Sequence, residues 1–98
     1  MTNFTFLHEA EVELWAAVTY YEERSPGLGL DFQTEIEQVL ATIAAHPERC
    51  PLRTDGTRRC LAHRFPYLVV YTCENDHIWL LAVAHAKRRP GFWRMRGG

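Results

Sequence analysis

The sequence has few of the features that mark membrane, secreted and metal-binding proteins. Its longest unbroken apolar run, 78–84, is seven residues, whereas a membrane-spanning helix needs about 18. No basic segment followed by an apolar stretch opens the chain, so we predict no signal peptide and expect a soluble, cytoplasmic protein. The cysteines, Cys50, Cys60 and Cys73, form no CxxC pair, which argues against a disulfide framework and a zinc site. We therefore expect reduced thiols, no metal and no cofactor.

Lysine is almost absent, and the charges are divided unevenly along the chain. Residues 1–48 contain nine acidic residues and one arginine, whereas residues 49–98 contain ten basic residues, nine of them arginine, and three acidic ones. Such asymmetry suggests one face for an anionic partner, and arginine suits forked contacts with phosphate or carboxylate. The alternative is two solvated faces of opposite charge.

The first half of the chain predicts a short strand and two helices. Residues 4–7 are rich in aromatic and β-branched side chains, which favours a strand. Apolar residues recur at helical spacing over 9–24, Ser25-Pro26-Gly27 breaks this helix, and a second apolar stripe runs from Phe32 to Ile43 and ends before Pro47. We expect the two helices to form an antiparallel hairpin.

The second half of the chain predicts a loop followed by three strands. Residues 48–57 show no periodicity, and the runs 58–64, 67–73 and 77–85 are short and β-rich, with a turn at Glu74-Asn75-Asp76. The last two runs are almost wholly apolar and should lie centrally in the sheet. We predict a single α+β domain over 1–98, ordered β-α-α-β-β-β, with the hairpin packed on a small, mainly antiparallel sheet and a short basic C-terminal tail.

Several motifs, taken together, resemble the RelE/ParE family of bacterial toxins over about residues 4–96. The hairpin carries Ala10-Glu11-x-Glu13-Leu14, Tyr20-Tyr21-Glu22 and Gly27-Leu28-Gly29-x-x-Phe32. Arg58-Arg59, Phe65-Pro66-Tyr67-x-x-x-Tyr71 and His85-x-x-Arg88-x-Pro90-x-x-Trp93 follow in the second half. The resemblance implies the growth-inhibiting toxin of a type II toxin-antitoxin system, neutralised by a cognate antitoxin. Members of this superfamily include both ribosome-dependent mRNA endonucleases and DNA gyrase poisons.

If the chain is an endonuclease, the resemblance points to His85, Arg88 and Arg59 as its catalytic residues. Cleavage through the 2'-hydroxyl needs a base, cations for the phosphoryl charge and an acid for the leaving oxygen. Endonucleases of the family often place a tyrosine near the C-terminus, where this chain has Phe92 and Trp93. It also lacks the lysine pair of ribosome-dependent relatives, and arginine is a poor acid or base. Whether the chain is an enzyme is left open.

The candidate binding residues are the basic side chains of the second half together with one tryptophan. They are Arg58, Arg59, Arg64, Lys87, Arg88, Arg89, Trp93, Arg94 and Arg96. Basic residues interleaved with aromatics can stack on and pair with nucleic acid or an acidic protein groove. The alternative is that Phe92 and Trp93 pack back on the sheet.

Other conspicuous side chains have simpler interpretations. Trp15 and Trp79 are expected in the core, and Glu11 and Glu13 are expected to face solvent. His85 is equally well read as a structural histidine at a strand end, His63 is a weaker site candidate, and the remaining three histidines should be solvated. These three are His8, His46 and His77.

Two functions fit the sequence. The first is a ParE-like toxin that binds DNA gyrase and traps it on DNA; the missing tyrosine and lysines favour it. The alternative is a RelE-like endonuclease that cuts mRNA on the ribosome. A non-toxic homologue retained for antitoxin binding also remains open. Either active form implies a cognate antitoxin, and we expect the part that covers the basic face to be acidic.

Overall fold

Two helices pack against one face of a four-stranded sheet in the computed structural model, which describes residues 3–89, 91–93 and 96. The elements are β1 (Asn3–Phe6), α1 (His8–Arg24), α2 (Leu28–Ala45), β2 (Arg58–Leu61), β3 (Tyr67–Glu74) and β4 (His77–His85). The predicted α+β class and β-α-α-β-β-β order are confirmed. Neither helix in the described part of the chain is both long and apolar enough to cross a membrane.

The helical hairpin forms because each helix carries an apolar stripe and the link between them is capped. Gly27 adopts a φ of 89°, a left-handed conformation that suits glycine. The carboxylate of Glu22 accepts hydrogen bonds from the backbone N–H groups of Gly27 and Gly29, both at 3.1 Å. These bonds satisfy donors at the start of α2 that have no partner within the helix, so Glu22 ties the end of α1 to the start of α2.

The strands lie in the order β1-β4-β3-β2. β1 pairs in parallel with β4, while β3 pairs antiparallel with both β4 and β2. Asn75 and Asp76 form the tight turn between β3 and β4 with φ values of 52° and 62°, which asparagine and aspartate tolerate better than most residues. The predicted turn and the central position of the two apolar strands are thus confirmed.

Apolar side chains cover both faces of the central strands. On the inner face, which meets the helices, Val69, Tyr71 and Leu80 pack in one cluster with Phe32 and Ile36 of α2. The outer face, away from the helices, carries a smaller cluster, whose buried members are Val70, Leu81, Ala82 and Trp93. The outer cluster therefore includes a residue of the tail.

The second strand is shorter than predicted, because the backbone N–H groups that follow it bind a buried carboxylate and not a neighbouring strand. β2 ends at Leu61 rather than at Arg64. Glu35, only 7% exposed, accepts hydrogen bonds from the N–H groups of Arg64 at 2.6 Å and Phe65 at 3.3 Å. The chain is thereby drawn toward α2 and leaves the sheet before Tyr67.

The expectation of three reduced thiols is wrong for two of them. Cys50 and Cys60 form a disulfide, with their Cα atoms 5.9 Å apart, whereas Cys73 is free and exposed. The loop returns to β2 because Leu52 bridges Arg58 and the Arg58 guanidinium donates to the carbonyl of Cys50 at 2.7 Å. This local closure, which cysteine spacing does not reveal, brings the two residues together.

Two tryptophans that were expected in the core are on the surface. Trp15 is 48% exposed and Trp79 is 37% exposed. Trp15 follows the buried Leu14 on α1 but points about 100° away from it around the helix, so it lies off the side that meets the sheet. Trp79 lies on the outer face and packs against the ring of His77 at 4.6 Å.

Candidate functional site

The C-terminal segment turns back after β4 and lies across the outer face of the sheet. The N–H of Lys87 donates to Nδ1 of His85 at 3.1 Å, and the N–H of Arg88 donates to the His85 carbonyl at 2.9 Å. Gly91 then adopts a φ of 91°, a conformation that suits glycine. These contacts direct the chain back over the sheet, where Trp93 and Arg96 meet the middle of β4.

Trp93 anchors this segment in the outer cluster. It is 3% exposed and packs with Val70, Leu81 and Ala82. Phe92, half-buried, meets the Trp93 ring edge-on at 4.8 Å. Of the two alternatives raised by the sequence, packing on the sheet is the one found, so in this conformation the Trp93 ring is not open to a partner.

The Glu13 carboxylate of α1 binds two arginines of the C-terminal segment. It accepts hydrogen bonds from Arg88 at 2.8 Å and from Arg96 at 2.8 and 2.9 Å. The hydrogen bonds to Glu13 raise the pKa of the Arg96 guanidinium above its usual value. The expectation that Glu13 faces solvent is therefore wrong, because two cations distant in sequence enclose it, whereas Glu11 is exposed as expected.

The position of Glu13 is explained by the edge of β4. β1 pairs with β4 only as far as Leu80, where the chain turns into α1, and the next residues of β4 lie beyond the end of β1. Glu13 accepts from the N–H of Val83 at 3.2 Å, and Arg96 donates to the carbonyl of Leu81 at 2.9 Å. The two side chains thus serve polar backbone groups that a neighbouring strand would otherwise pair.

Arg88 and Arg96 also stack on Phe92. The guanidinium carbons lie 3.5 and 4.9 Å from its ring centroid, respectively, within the range of cation–π attraction. Arg96 is largely buried, with a side chain 12% exposed, whereas Arg88 is 47% exposed. Arg96 is therefore a structural residue, and Arg88 combines a structural contact with a surface open to a partner.

Arg59 occupies the far side of the outer cluster. Its guanidinium carbon lies 4.7 Å from the Trp93 ring centroid and its Nη2 atom 3.8 Å from Asp55. A hydrogen bond from the Thr57 hydroxyl, at 2.6 Å, holds the pKa of Asp55 below its usual value, and Arg59 lowers it further. Arg59 thus lies on the same outer surface as the tail but is committed to Trp93 and Asp55.

Of the other predicted binding residues, Arg58 and Arg64 make contacts elsewhere, whereas Lys87 and Arg89 adjoin Arg88. Arg58 holds the Cys50 carbonyl of the disulfide loop. Arg64, whose side chain is 63% exposed, lies 3.7 Å from Asp31 of α2, an exposed pair of little energetic weight. Lys87 and Arg89 are exposed beside Arg88. Arg94 lies outside the described residues.

His85 lines a cleft between α1, the start of β3 and the end of β4. The cleft has a volume of about 280 Å³, and Arg88, Tyr67 and Tyr20 also contribute to its walls. Tyr67 is the register partner of His85, and their rings meet edge-on at 5.5 Å. Burial raises the pKa of the Tyr67 hydroxyl, and Tyr20 adds to this shift. The hydroxyl stays protonated at neutral pH and can donate a hydrogen bond to an anionic group.

The sheet separates Arg59 from the other two residues proposed for catalysis, His85 and Arg88. Register partners point to the same face of a sheet, so His85 shares the inner face with Tyr67, while Arg59 shares the outer face with Val70. Arg59 is two strands away from β4 and pairs through Val70 with Ala82, three residues before His85. These steps put the Arg59 and His85 positions roughly 14 Å apart. The structure therefore brings His85 and Arg88 together but leaves Arg59 on the other side.

Sequence reasoning missed Tyr67 and Tyr20 as residues of the cleft. Pairing of the last two strands in register from the 75–76 turn would place Tyr67 opposite Ala84. A β-bulge between Val70 and Tyr71 shifts the register by one residue and brings Tyr67 opposite His85, so the sequence alone does not signal this pairing. His8, His46 and His63 are exposed, whereas half-buried His77 bonds the hydroxyl of Thr5 at 2.6 Å. No group of His, Cys, Asp or Glu among the described residues is arranged to hold a metal ion.

Comparison with known proteins identifies the family of the chain and relates its fold to solved structures. The family model described as "ParE toxin of type II toxin-antitoxin system, parDE" matches residues 4–90. No curated protein is significantly similar to the chain. A solved structure entitled "Chromosomal ParDE TA system from P. aeruginosa" matches with a TM-score of 0.76 and 17% identity, covering 87% of this chain and 96% of that one. At this identity the structural likeness supports the fold.

Proposed function

Because the chain belongs to the ParE toxin family of type II toxin-antitoxin systems, we propose that its target is DNA gyrase and that it acts by binding alone. The predicted family and the predicted role as a type II toxin are confirmed. A cognate antitoxin is the partner that such a system implies. We further propose that the toxin meets its target and its antitoxin in the cytoplasm.

The observation that carries the proposal is the separation of Arg59 from His85 by the sheet. A nuclease needs its acid, base and phosphate-binding groups around one reacting phosphate. Here Arg59 stacks on Trp93 and pairs with Asp55, and Arg96 forms a salt bridge with Glu13. Arg59 and Arg96 thus hold the tail on the sheet and do not line one phosphate site, which favours a binding protein.

The surface proposed to meet gyrase is the turn that follows β4. Lys87, Arg88 and Arg89 are exposed there in succession. Three adjacent cations on a turn that is fixed to the sheet by Phe92 and Trp93 form a compact positive surface. Such a surface suits an acidic protein groove or the DNA that gyrase holds.

The experiment tests supercoiling and cleavage of mRNA in parallel. We expect the purified toxin to inhibit supercoiling and to accumulate cleaved DNA with gyrase, while messages on ribosomes stay intact. The double variant Lys87→Glu/Arg89→Glu should lose this inhibition, whereas the charge reversal Arg24→Glu, on an exposed helix end, should keep it. Inhibition that persists in the double variant would show that the turn is not the contact surface.

One observation favours the endonuclease as the second candidate. Tyr67 lies beside His85 and supplies, from β3, the phenol that the C-terminal segment lacks. His85, Arg88 and Tyr67 would then act on mRNA that the ribosome positions. Codon-positioned cuts that vanish in His85→Ala or Arg88→Ala would overturn the gyrase proposal in favour of this one.

A further inference from the structure

A cleft opens to the surface beside the Cys50–Cys60 disulfide. It has a volume of about 160 Å³, and its walls include Arg49 and His63, both of which are exposed. Cys50 is half-buried, whereas Cys60 is only 8% exposed and packs in the core. A small molecule that enters the cleft therefore meets the disulfide, and Cys50 is the more accessible of its two residues.

The charge around the cleft suits an anionic thiol. Arg49 supplies a cation, and the described residues that line the cleft include no carboxylate. An arginine beside the disulfide can pair with the carboxylate of an incoming molecule. It also stabilises the thiolate that leaves when the S–S bond breaks, because thiolates are favoured next to cations. Glutathione, a small thiol with a net negative charge, has the chemistry that this cleft can receive.

Local contacts hold the two cysteines close to each other without the help of the covalent bond. Leu52 bridges Arg58, and the Arg58 guanidinium donates to the carbonyl of Cys50 at 2.7 Å. The N–H of Arg49 donates to the carbonyl of His46 at 3.0 Å, which fixes the start of the loop. The thiols of an opened pair therefore stay near each other, so an oxidant can join them again.

The loop that the disulfide closes also supports the outer face of the sheet. The Asp55 carboxylate of this loop accepts a hydrogen bond from the N–H of Thr57 at 3.0 Å and lies 3.8 Å from the Arg59 guanidinium. Arg59 in turn stacks on Trp93 at 4.7 Å. Opening the disulfide removes a covalent restraint on the loop. The loop then leaves this conformation more often, and Arg59 loses the support of Asp55.

From these observations we propose that the Cys50–Cys60 pair is a reversible redox site, which exchanges with a small anionic thiol of the glutathione type. Its opening loosens the loop that supports Arg59 and Trp93. The state of the pair thus follows the balance of thiol and disulfide around the protein, and the outer face of the sheet responds to it. This role is independent of the target on which the toxin acts.

The exchange takes place in two steps. A glutathione thiolate attacks Sγ of Cys50 and forms a mixed disulfide, while the electron pair of the broken bond passes to Sγ of Cys60, which takes a proton from water. A second glutathione thiolate attacks the glutathione sulfur of the mixed disulfide and releases Cys50 as a thiolate. The protein disulfide is thereby reduced to two thiols, and the two glutathione molecules are oxidised to glutathione disulfide. Attack of the reduced pair on glutathione disulfide reverses both steps.

The first test measures whether glutathione opens and closes the pair in the folded protein. Cys73→Ser removes the exposed free thiol, and this variant is equilibrated at a series of ratios of reduced to oxidised glutathione. Free thiols are trapped with iodoacetamide and counted by mass spectrometry. We expect one reversible transition, with the same midpoint from the reduced and from the oxidised side. A pair that stays closed at the highest excess of thiol, as structural disulfides of secreted proteins do, would overturn the proposal.

The second test measures the contribution of Arg49 to recognition of the thiol. Arg49→Glu should slow opening by glutathione about fivefold or more at low salt, because the charge that attracts the anion is reversed. Opening by 2-mercaptoethanol, which is uncharged, should change by less than about twofold. Arg53→Glu is the matched control, since Arg53 is exposed in the same loop but does not line the cleft. Equal slowing with both thiols, or in both variants, would exclude an anionic thiol as the molecule that the cleft selects.

The third test follows the coupling between the disulfide and Trp93. Reduction with glutathione should speed hydrogen exchange of the Thr57 N–H about tenfold or more. It should also shift tryptophan emission to the red, and Trp93→Phe should abolish the shift, because Trp15 and Trp79 are already exposed. Exchange and emission that do not change on reduction would refute the coupling.

The double variant Cys50→Ser/Cys60→Ser repeats the third test without reductant. It should show the exchange rate and the emission of the reduced wild type, and glutathione should then change neither. Circular dichroism verifies that the variant is folded. A folded double variant with the exchange rate and emission of the oxidised wild type would show that the loop does not depend on the disulfide, contrary to the proposal.

Discussion

Removing the Glu13 carboxylate should loosen the C-terminal segment from the sheet. In Glu13→Ala, Arg96 keeps its bond to the Leu81 carbonyl but loses its counter-ion, and the N–H of Val83 loses its acceptor. The side chains of Glu13 and Arg96 are only 15% and 12% exposed. Breaking a buried pair by removing one partner costs about 3–5 kcal/mol, and the remaining solvent access places this pair at the lower end, about 3 kcal/mol.

The loss should be visible in both stability and fluorescence. For a domain of this size, about 3 kcal/mol lowers the melting temperature by on the order of 15 °C, measured by circular dichroism. A loosened tail exposes Trp93, so we also expect a red shift of tryptophan emission below the transition. Arg88→Ala should cost under about 1 kcal/mol, because that partner is largely exposed.

Glu11→Ala is the matched control, since Glu11 is on the same helix and exposed. It should change the melting temperature by no more than about 3 °C. If Glu13→Ala and Glu11→Ala melted together, the carboxylate would not be holding the segment. A double-mutant cycle with Arg96→Ala should return a coupling of about 2 kcal/mol, within the range for directly contacting residues.

Three further predictions concern stability. The Cys50–Cys60 disulfide closes a loop over ten residues of sequence separation, so Cys50→Ser/Cys60→Ser or added reductant should cost about 2–3 kcal/mol; a loss no larger than that of Cys73→Ser would refute this. A Cβ at Gly29 would lie 2.6 Å from the Val18 carbonyl oxygen, so Gly29→Ala should destabilise by about 1–2 kcal/mol in urea unfolding despite its better helix propensity, and a gain in stability would contradict the close packing. Because the pKa of Asp55 is lowered in the folded protein, its contribution is present above the unfolded pKa of about 3.9 and is lost as pH falls through the folded pKa. The melting temperatures of wild type and Asp55→Asn should therefore converge in acid, and a constant difference down to pH 2 would exclude this linkage.

The helices and the hairpin of the last two strands could be predicted because their patterns are local. The apolar stripe from Phe32 to Ile43 and the turn at Asn75-Asp76 each specify one conformation within a few residues. The end of β2 could not be predicted in this way. It depends on Glu35, 29 residues before Arg64 in the chain, and nothing in the β-rich run 58–64 signals that interaction.

The sequence could predict some residues of the candidate site but not the contacts that they make. The sequence identified His85 and Arg88 as neighbours after the last strand, and the structure places both at one cleft. It did not reveal that Glu13 would take up Arg96, because this pair spans 83 residues and charge patterns describe only neighbours along the chain. Trp15 was misplaced for a related reason, since α1 is apolar on two sides and the pattern does not say which one the sheet covers.

The parallel pairing of β1 with β4 links the two ends of the fold. Asn3 lies opposite His77 and Phe6 opposite Leu80, so β1 cannot pair with its neighbour until nearly the whole domain has been synthesised. Pairings this distant in sequence slow folding, because a long loop must close before they form. The sheet around β4 is therefore completed late, so the surface proposed to contact gyrase forms only after nearly all of the domain has been synthesised.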